Sequence, residues 1–382
     1  MKRKKKILRI VTSLNPKYGG PSVGIIESSK HLVKHGFKVD IVTLNKKKIS
    51  NIKIKNIKII NFSDYLGEHF RFSFKLFLWL LKSRKNYDNF IIHGLWQFPT
   101  LLARLLLKKK YFVFIHGQLD PFFGLDFLKK LKKIIYWYLL EYQNLKKANK
   151  IILTSILEKN NLDNTFVKTD KIEKLVIKNG IFKKKLNINT VTKKFYLKFP
   201  FIKKRNFYLF LGRFHEKKGC EIIIKSVKKL GSKFNTPILL AGPFEDTNYE
   251  KKLKDLVISN NLQNKIFFSK EIYGDLKWGA IYSSKAMLLA SHGENFGISL
   301  VESLSVGRPV LTTNKVNIHN YISKYKAGFI SSNTVNSFSN QLSLLENLSD
   351  KKLNKISFNA EKCFNENFNL VLNDKTLIEL LN

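Results

Sequence analysis

The chain has 382 residues, of which 44% are hydrophobic, enough for two globular domains with separate cores. Its formal net charge is +41, from 69 basic and 28 acidic side chains, which is the balance of a protein with an anionic partner. The two cysteines, Cys220 and Cys363, argue against a disulfide framework, and no apolar run approaches the roughly 20 residues of a transmembrane helix.

The basic charge is mostly lysine. Only eight of the 69 basic residues are arginine, the side chain favoured for reading bases and phosphates. Lysine is abundant together with Asn, Ile and Phe, as in proteins of AT-rich genomes. The charge is also uneven, because residues 1–150 carry 32 basic and 8 acidic side chains. A more basic first half is expected of a domain that faces anionic lipid, but codon usage accounts for the lysines equally well.

Apolar runs and amphipathic runs alternate along the chain, which predicts an α/β protein with parallel sheets. In the first half, strands are predicted at 7–13, 37–44, 151–155 and 174–177 and at the start of 89–100 and of 111–121, with helices at 23–36 and 127–149. In the second half, strands are predicted at 207–211, 237–241, 265–268, 285–290 and 310–313, with helices at 220–230, 248–260 and 298–305. Residues 186–206 are rich in lysine and irregular, and they are interpreted as a linker between a first domain, 1–185, and a second domain, 207–363.

The most informative segment is 293–310, which reads GENFGISLVESLSVGRPV. Gly297 leads into a predicted helix that begins at Ile298, and the free N–H groups of such a helix start favour an anion. Glu302 lies about a turn inside this helix, where its carboxylate can accept hydrogen bonds from a cis-diol such as a ribose. Glu294 lies before the helix and can reach a second polyhydroxyl group. An anion cradle between two carboxylates suits a sugar nucleotide.

A second informative segment is 209–219, which reads LFLGRFHEKKG. A buried strand ends at Gly212, and Arg213 follows just beyond the strand end. Lys218 comes next, immediately before Gly219 and the helix at 220–230. Ligands of doubly wound folds bind beyond the carboxyl ends of the strands, and an arginine fork with a lysine there suits a diphosphate.

Weaker signals lie in the first half of the chain. Gly19 and Gly20 permit close approach of the backbone to a ligand, and Ser22 is predicted to cap the helix that follows. His116 lies at the carboxyl end of a predicted strand, as His93 does, and Trp96 lies in the loop after His93.

Together the two segments resemble the E-x7-E signature and the Gly-Arg…Lys-Gly element of the family-4 retaining glycosyltransferases. The resemblance covers nearly the whole chain and is strongest in 207–313. It implies the GT-B fold, in which two Rossmann-like, doubly wound parallel-sheet domains face a central cleft. It also implies a C-terminal helix, 364–382, that crosses back to the first domain.

The same resemblance assigns roles to individual residues. It implies catalytic roles for Arg213, Lys218, Glu294 and His116, donor binding by Glu302, Gly297, Ile298, Phe296, Gly212 and Gly20, and an acceptor side with Gly19, His93 and Trp96. The expected donor is a UDP- or GDP-linked sugar. No cofactor and no metal are expected, because the chain has no Asp-x-Asp pair and because Arg213, Lys218 and the helix start can stabilise the leaving diphosphate.

The expected acceptor is a saccharide, and we expect it to be lipid-linked. The loop 116–121 is reminiscent of bacterial members of the family that build surface polysaccharide or lipopolysaccharide. These expectations place the protein in the cytoplasm, at an anionic membrane surface. In the helix at 127–149, an apolar stripe that includes Leu131, Ile135 and Leu139 is interpreted as core, while its lysines suit contact with a membrane.

Three other functions stay open at this point. A glycoside hydrolase also uses two carboxylates, but it gives Arg213 and Lys218 no purpose. A nucleic-acid-binding protein is compatible with the charge of +41 and predicts salt-sensitive binding of RNA or DNA. An inactive sugar-binding relative is the third alternative, and it is disfavoured by the intact motifs.

Overall fold

The computed structural model describes residues 3–15, 20–44, 54–65, 70–108, 111–119, 127–163, 165, 167–177, 179–202, 207–373 and 376–382. The chain divides into two compact units, of which the first is Met1–Asn179 with Asp374–Asn382 and the second is Gly180–Asn373.

The first unit is built on a parallel sheet. Its strands are β1 Lys6–Val11, β2 Lys38–Leu44, β3 Ile57–Phe62, β4 Asn89–His93, β5 Tyr111–Phe114, β6 Lys150–Leu153 and β7 Lys174–Val176. The strand order is β3-β2-β1-β4-β5-β6-β7, so the order reverses between β1 and β4. This is the doubly wound arrangement that the sequence predicted, and its ligand position is the carboxyl end of the strands at the reversal.

Both faces of this sheet are buried. Successive side chains of a strand point to opposite faces, so each strand contributes residues to both. In β1, Leu8 and Ile10 belong to one apolar cluster, whereas Ile7 and Val11 belong to another. Arg9 lies on the same face as Ile7 and Val11, and it is only 1% exposed. A buried arginine at the centre of an apolar strand requires hydrogen-bond partners.

Helices connect the strands of the first unit. They are α1 Gly20–Lys34, α2 Phe74–Ser83, α3 Phe98–Leu106, α4 Phe127–Tyr136, α5 Tyr142–Lys146 and α6 Ile156–Asp163. A π-helical turn, Trp137–Glu141, joins α4 to α5, so the predicted helix 127–149 is one interrupted element that ends earlier.

The apolar stripe of this element is not core, contrary to the sequence interpretation. Leu131, Ile135, Tyr138 and Leu139 are exposed by 44%, 51%, 49% and 69%. Trp137, by contrast, is fully buried. Periodicity identified the apolar face correctly, but it carries no information about what covers that face.

The second unit contains another parallel sheet. Its strands are β8 Tyr208–Leu211, β9 Ile238–Ala241, β10 Ile266–Ser269, β11 Ala286–Leu289, β12 Val310–Thr313 and β13 Gly328–Ser331, in the order β10-β9-β8-β11-β12-β13. Its helices are α7 Ile188–Lys198, α8 Cys220–Leu230, α9 Thr247–Ser259, α10 Gly274–Ser283, α11 Ile298–Ser305, α12 His319–Tyr325, α13 Val335–Glu346, α14 Asp350–Asn367 and α15 Leu370–Asn373. The order of this sheet reverses between β8 and β11.

Residues 186–206 are not an irregular linker, because they contain α7. The side chain of Asn187 accepts a hydrogen bond from the backbone of Thr190 and caps the start of this helix. The helix buries Val191 and Phe195. It lies so close to α10 that a Cβ at Gly279 would stand 2.1 Å from the carbonyl oxygen of Val191. The helix is therefore an integral part of the second unit.

The C-terminal residues also differ from the single predicted helix at 364–382. The long helix α14 begins at Asp350, and a separate helix, α16 Thr376–Leu381, belongs to the first unit. Leu377 and Leu381 are buried there in the cluster that contains Ile7. The carbonyl oxygen of Leu381 accepts a hydrogen bond of 3.2 Å from Asn89 Nδ2.

None of the helices within the described ranges combines the length and the apolar character needed to cross a membrane.

Candidate functional site

The two motifs of the second unit meet at the carboxyl end of its sheet, where the strand order reverses. Arg213 and the 3₁₀ turn Glu216–Lys218 follow β8, and Glu294 follows β11. The backbone joins them, because the carbonyl oxygen of Lys217 accepts a hydrogen bond of 2.8 Å from the backbone N–H of His292. Both motifs thus lie at the carboxyl ends of the strands, which is where doubly wound folds bind their ligands.

The ionisable side chains of this site form pairs of opposite charge. Lys218 Nζ contacts Glu294 Oε2, and Arg213 Nη1 lies 2.7 Å from Glu245 Oε1. Burial by itself raises the pKa of Glu294, but the charges of Lys218, Lys217 and Arg213 outweigh it, and the pKa lies below its ordinary value. Glu294 is therefore ionised at neutral pH, in a cluster where three cations face two carboxylates.

Gly219 fixes the backbone that presents Lys218. Its φ is +65°, in the left-handed region, and it stands directly before α8. A Cβ at this position would lie 2.1 Å from the carbonyl oxygen of Ala290. Only glycine satisfies both the backbone angle and this close approach.

A third ion pair involves the other glutamate of the motif. Glu302 lies in α11 with a side chain only 6% exposed, and its Oε1 accepts a bond of 2.5 Å from Lys277 Nζ in α10. A carboxylate buried to this degree needs a charged or hydrogen-bonded partner. Lys277 supplies that partner, although the sequence analysis did not identify it.

The segment between the two glutamates forms the start of α11. Gly297 has a φ of +64° and precedes Ile298, the first residue of the helix, without a side-chain cap. Such a helix start leaves backbone N–H groups outside the intrahelical pattern, as expected of an anion cradle. Phe296 is 9% exposed and packs edge-on against Phe368, with ring centroids 5.9 Å apart, so packing accounts for much of its surface.

Gly212 follows β8 and continues its ladder, because its N–H donates to the carbonyl oxygen of Ala241 over 3.2 Å. A Cβ at Gly242 would stand 1.8 Å from the carbonyl oxygen of Gly212. The two loop backbones are thus in close contact directly before Arg213.

In the first unit, three of the predicted site residues lie at or after the ends of β4, which borders the reversal, and of the neighbouring β5. His93 is the last residue of β4, Trp96 follows it with a φ of +66°, and His116 follows β5 with a φ of +50°. The rings of His93 and His116 meet, with Nδ1 of His93 2.9 Å from Nε2 of His116. Positive φ values at non-glycine residues are strained and persist only where the surroundings enforce them.

Two residues that the sequence analysis missed hold these histidines. Arg9 Nε donates to His93 Nε2 over 3.1 Å. The buried carboxylate of Glu158 accepts from the backbone N–H of Gly117 over 2.7 Å and from that of Thr154 over 2.6 Å. A signal for Arg9 was present, because it interrupts an otherwise apolar strand.

Burial lowers the pKa of His116 to about 4, and the positive charge of Arg9 adds to this effect. Burial is also the largest cause that lowers the pKa of His93, followed by the charges of Arg9 and His116. Both rings are therefore neutral at physiological pH.

The Gly-Gly loop is described only in part. Gly19 lies outside the described residues, and Gly20 is the first residue of α1. Ser22 is consequently inside the helix rather than its cap, and its hydroxyl donates to the carbonyl oxygens of Ser13 and Asn15 over 3.4 and 3.3 Å.

Family models match both parts of the chain. Residues 18–182 match the model described as Glycosyltransferase Family 4, and residues 193–363 match the model described as Glycosyl transferases group 1.

Curated relatives are glycosyltransferases as well, and a solved structure shares the fold. An uncharacterised glycosyltransferase of Methanocaldococcus jannaschii is 28% identical over 58% of this chain and 55% of its own length. The O-antigen chain mannosyltransferase RfbU of Salmonella typhimurium is 26% identical over 51% of this chain and 50% of its own length. The chain thus spans about half the length of these curated relatives. The crystal structure of Anabaena HepE in complex with UDP and glucose superposes with a TM-score of 0.78, at 16% identity, over 99% of each chain.

Proposed function

The chain belongs to the family-4 glycosyltransferases of the GT-B fold, and from this premise we propose that it moves a sugar from a nucleotide diphosphate sugar to a saccharide acceptor. The transfer retains the configuration at the anomeric carbon and needs no metal ion. The observation that carries this proposal is the cationic cluster at the strand reversal of the second unit.

The cluster supports the proposal because departure of the diphosphate is the hard step of the reaction. Negative charge builds on the leaving oxygen, and fixed positive groups near it lower the barrier. Arg213 and Lys218 are suitable groups, since their carboxylate partners Glu245 and Glu294 hold them in defined positions. The start of α11 at Ile298 adds backbone donors. These groups take the role that a divalent ion has in other transferases.

The two glutamates of the motif have separate tasks in this proposal. Glu302, held by Lys277, binds the ribose hydroxyls of the donor. Glu294 is kept ionised by the cations around it and binds hydroxyls of the transferred sugar, which it orients for attack. No protein nucleophile is assigned.

The acceptor is proposed to be a lipid-linked saccharide at the cytoplasmic face of a bacterial membrane. Support comes from the exposed face of α4 and the π turn, which is formed by Leu131, Ile135, Tyr138 and Leu139. Lys132, an exposed residue of α4, is next to Leu131 in the chain. Apolar residues next to lysines are typical of helices that lie in a membrane interface. The O-antigen chain mannosyltransferase among the relatives is named for a saccharide chain, and we extend a saccharide acceptor to this protein.

The first experiment is a binding series with UDP, GDP and ADP and their common sugars, measured by thermal shift and calorimetry in EDTA. We expect one nucleotide to bind selectively without metal. Lys218→Met should weaken that binding about a hundredfold, because it removes a charge-assisted contact to the diphosphate and leaves Glu294 unpaired.

Lys254→Met is the matched control, because Lys254 is also a paired lysine of the second unit, with Glu250 as its partner at 2.7 Å on the exposed surface of α9. Its affinity should equal that of the wild type. Absence of binding to every nucleotide, or binding only after a divalent ion is restored, would contradict the proposal.

A further inference from the structure

We propose that Arg9 and His93 are positioning residues that fix the tautomer of His116, so that His116 presents a protonated Nδ1 to a saccharide oxygen. The saccharide part of this inference rests on the proposed function. Arg9 lies in β1, His93 ends β4, and His116 follows β5, so three neighbouring strands contribute one residue each.

The guanidinium of Arg9 is held firmly inside the first unit. Its Nη1 donates to Ser28 Oγ over 2.7 Å, to Ser29 Oγ over 2.9 Å and to the carbonyl oxygen of Ile25 over 3.3 Å. All of these acceptors lie on α1. The orientation of Arg9 Nε toward His93 is therefore fixed from the helix side.

The proton positions follow from the chemistry of the donors. A guanidinium can only donate, so His93 Nε2, 3.1 Å from Arg9 Nε, must carry a lone pair. A neutral His93 then carries its proton on Nδ1 and donates it over 2.9 Å to His116 Nε2. Since Nε2 of His116 accepts, the proton of its neutral ring lies on Nδ1.

The other protonation states conflict with the same contacts. A cationic His93 would direct an N–H at Arg9, which has no lone pair to accept it. A cationic His116 would direct an N–H at Nδ1 of His93, and His93 would then need lone pairs on both nitrogens. The lowered pKa values of both rings agree with the neutral pair.

The backbone fixes the position of His116 as well. Its φ of +50° is followed by a φ of +71° at Gly117, and Glu158 accepts the N–H of Gly117. Gln118 N closes the turn onto the carbonyl oxygen of Ile115 over 3.0 Å. Within the described part of the chain, Nδ1 of His116 has no hydrogen-bond partner. A fixed N–H donor of this kind matches a hydroxyl or ring oxygen of a sugar.

The direct test is a long-range ¹H–¹⁵N spectrum of the whole protein with ¹⁵N-labelled histidine at neutral pH, without substrate. The signals are assigned with His116→Gln and His93→Gln. We expect both wild-type rings to be neutral with the proton on Nδ1. A proton on Nε2 of His116, or a charged ring, overturns the proposal whatever the activity of the variants.

The matched variants are His93→Gln and His93→Leu. A glutamine can accept from Arg9 with its oxygen and donate to His116 with its amide, so it preserves the relay, whereas a leucine removes it. We expect both tautomers of His116 to be populated in His93→Leu. Its kcat should fall about tenfold, which corresponds to the loss of one hydrogen bond, and the KM of the nucleotide sugar should change little. His93→Gln should keep one tautomer and most of kcat.

Equal kcat values for His93→Gln and His93→Leu overturn the proposal even when the wild-type spectrum is as expected. Failure of the proposed function gives a different result, because the spectra are recorded without a nucleotide sugar. If no nucleotide sugar is turned over, the transferase function is contradicted whichever tautomer the spectrum shows.

Discussion

At the scale of single residues, the site is defined by ion pairs that bring distant parts of the sequence together. Lys277 and Glu302 illustrate their role. Glu302 is almost fully buried, and Lys277 is the cation that keeps its carboxylate in place. An exposed pair contributes little to stability, but a buried carboxylate that loses its partner is strongly disfavoured. The pair therefore stabilises the second unit and also fixes the orientation of the Glu302 carboxylate.

This role predicts a specific defect of Lys277→Met. We expect affinity for the preferred ribonucleotide to fall about tenfold, since one charge-assisted bond that orients the carboxylate proposed to bind the ribose is lost. Affinity for the 2′,3′-dideoxynucleotide should not change, because that ligand has no ribose hydroxyls. Calorimetry with both ligands measures the difference. An equal loss for the two ligands would show that Lys277 does not act through Glu302.

At the scale of elements, local pattern and close backbone contact decide the geometry around the site. The predicted bounds of α8 and β12 agree with the structure. The pattern of apolar residues is clear in both elements, and residues that interrupt regular secondary structure mark their ends. The position of α8 relative to β11 depends on Gly219, where the backbone is left-handed and no Cβ fits beside Ala290.

Two glycine substitutions separate these effects. Gly231 ends α8 with a φ of +58° and has nothing within 4 Å of an added Cβ. Gly231→Ala should therefore cost only backbone strain, about 2 kcal/mol in the free energy of unfolding, because a φ of +58° with a ψ of −127° is a conformation that favours glycine. Gly219→Ala adds overlap with Ala290 and should cost at least about 3 kcal/mol. Urea denaturation of both variants measures the difference, and equal midpoints would contradict the importance of the contact.

At the scale of the whole molecule, the charge of +41 and the exposed face of α4 and the π turn have a common explanation in the proposed membrane surface. The charge alone does not separate a membrane surface from codon usage, since an AT-rich genome also produces a protein rich in lysine. The apolar face does discriminate, because codon usage has no reason to place four exposed apolar side chains on one helix face.

Flotation with lipid vesicles tests this explanation. The protein should float with vesicles rich in anionic lipid at physiological salt, and less with neutral vesicles or at high salt, where the charges are screened. Leu139→Glu should reduce flotation severalfold, because Leu139 is 69% exposed on that face. Leu197→Glu is the control, since Leu197 is 74% exposed on α7 of the second unit. Equal behaviour of the two variants, or no flotation at all, would contradict the membrane surface.

Several errors of the sequence interpretation have a physical reason. The helix α7 was missed because lysines surround its apolar positions, and its burial comes from contact with α10. The stripe on α4 is exposed, contrary to the prediction of core. The spacing of apolar residues identifies an apolar helix face, but it does not show whether another element packs against that face. The C-terminal segment was read as one helix, whereas α14 and α16 belong to different units.

The sequence by itself determined the α/β class, most strands and helices, and the family. It also placed Arg213, Lys218 and Glu294 next to element ends and Glu302 inside a helix. These properties depend on local periodicity, breakers and motif spacing, which are written along the chain. Only the tertiary structure decided which polar side chains meet. Arg9 and His93 are 84 residues apart, and Lys218 and Glu294 are 76 apart. Contacts of this kind depend on strand order and on the packing of neighbouring elements, which no local pattern specifies.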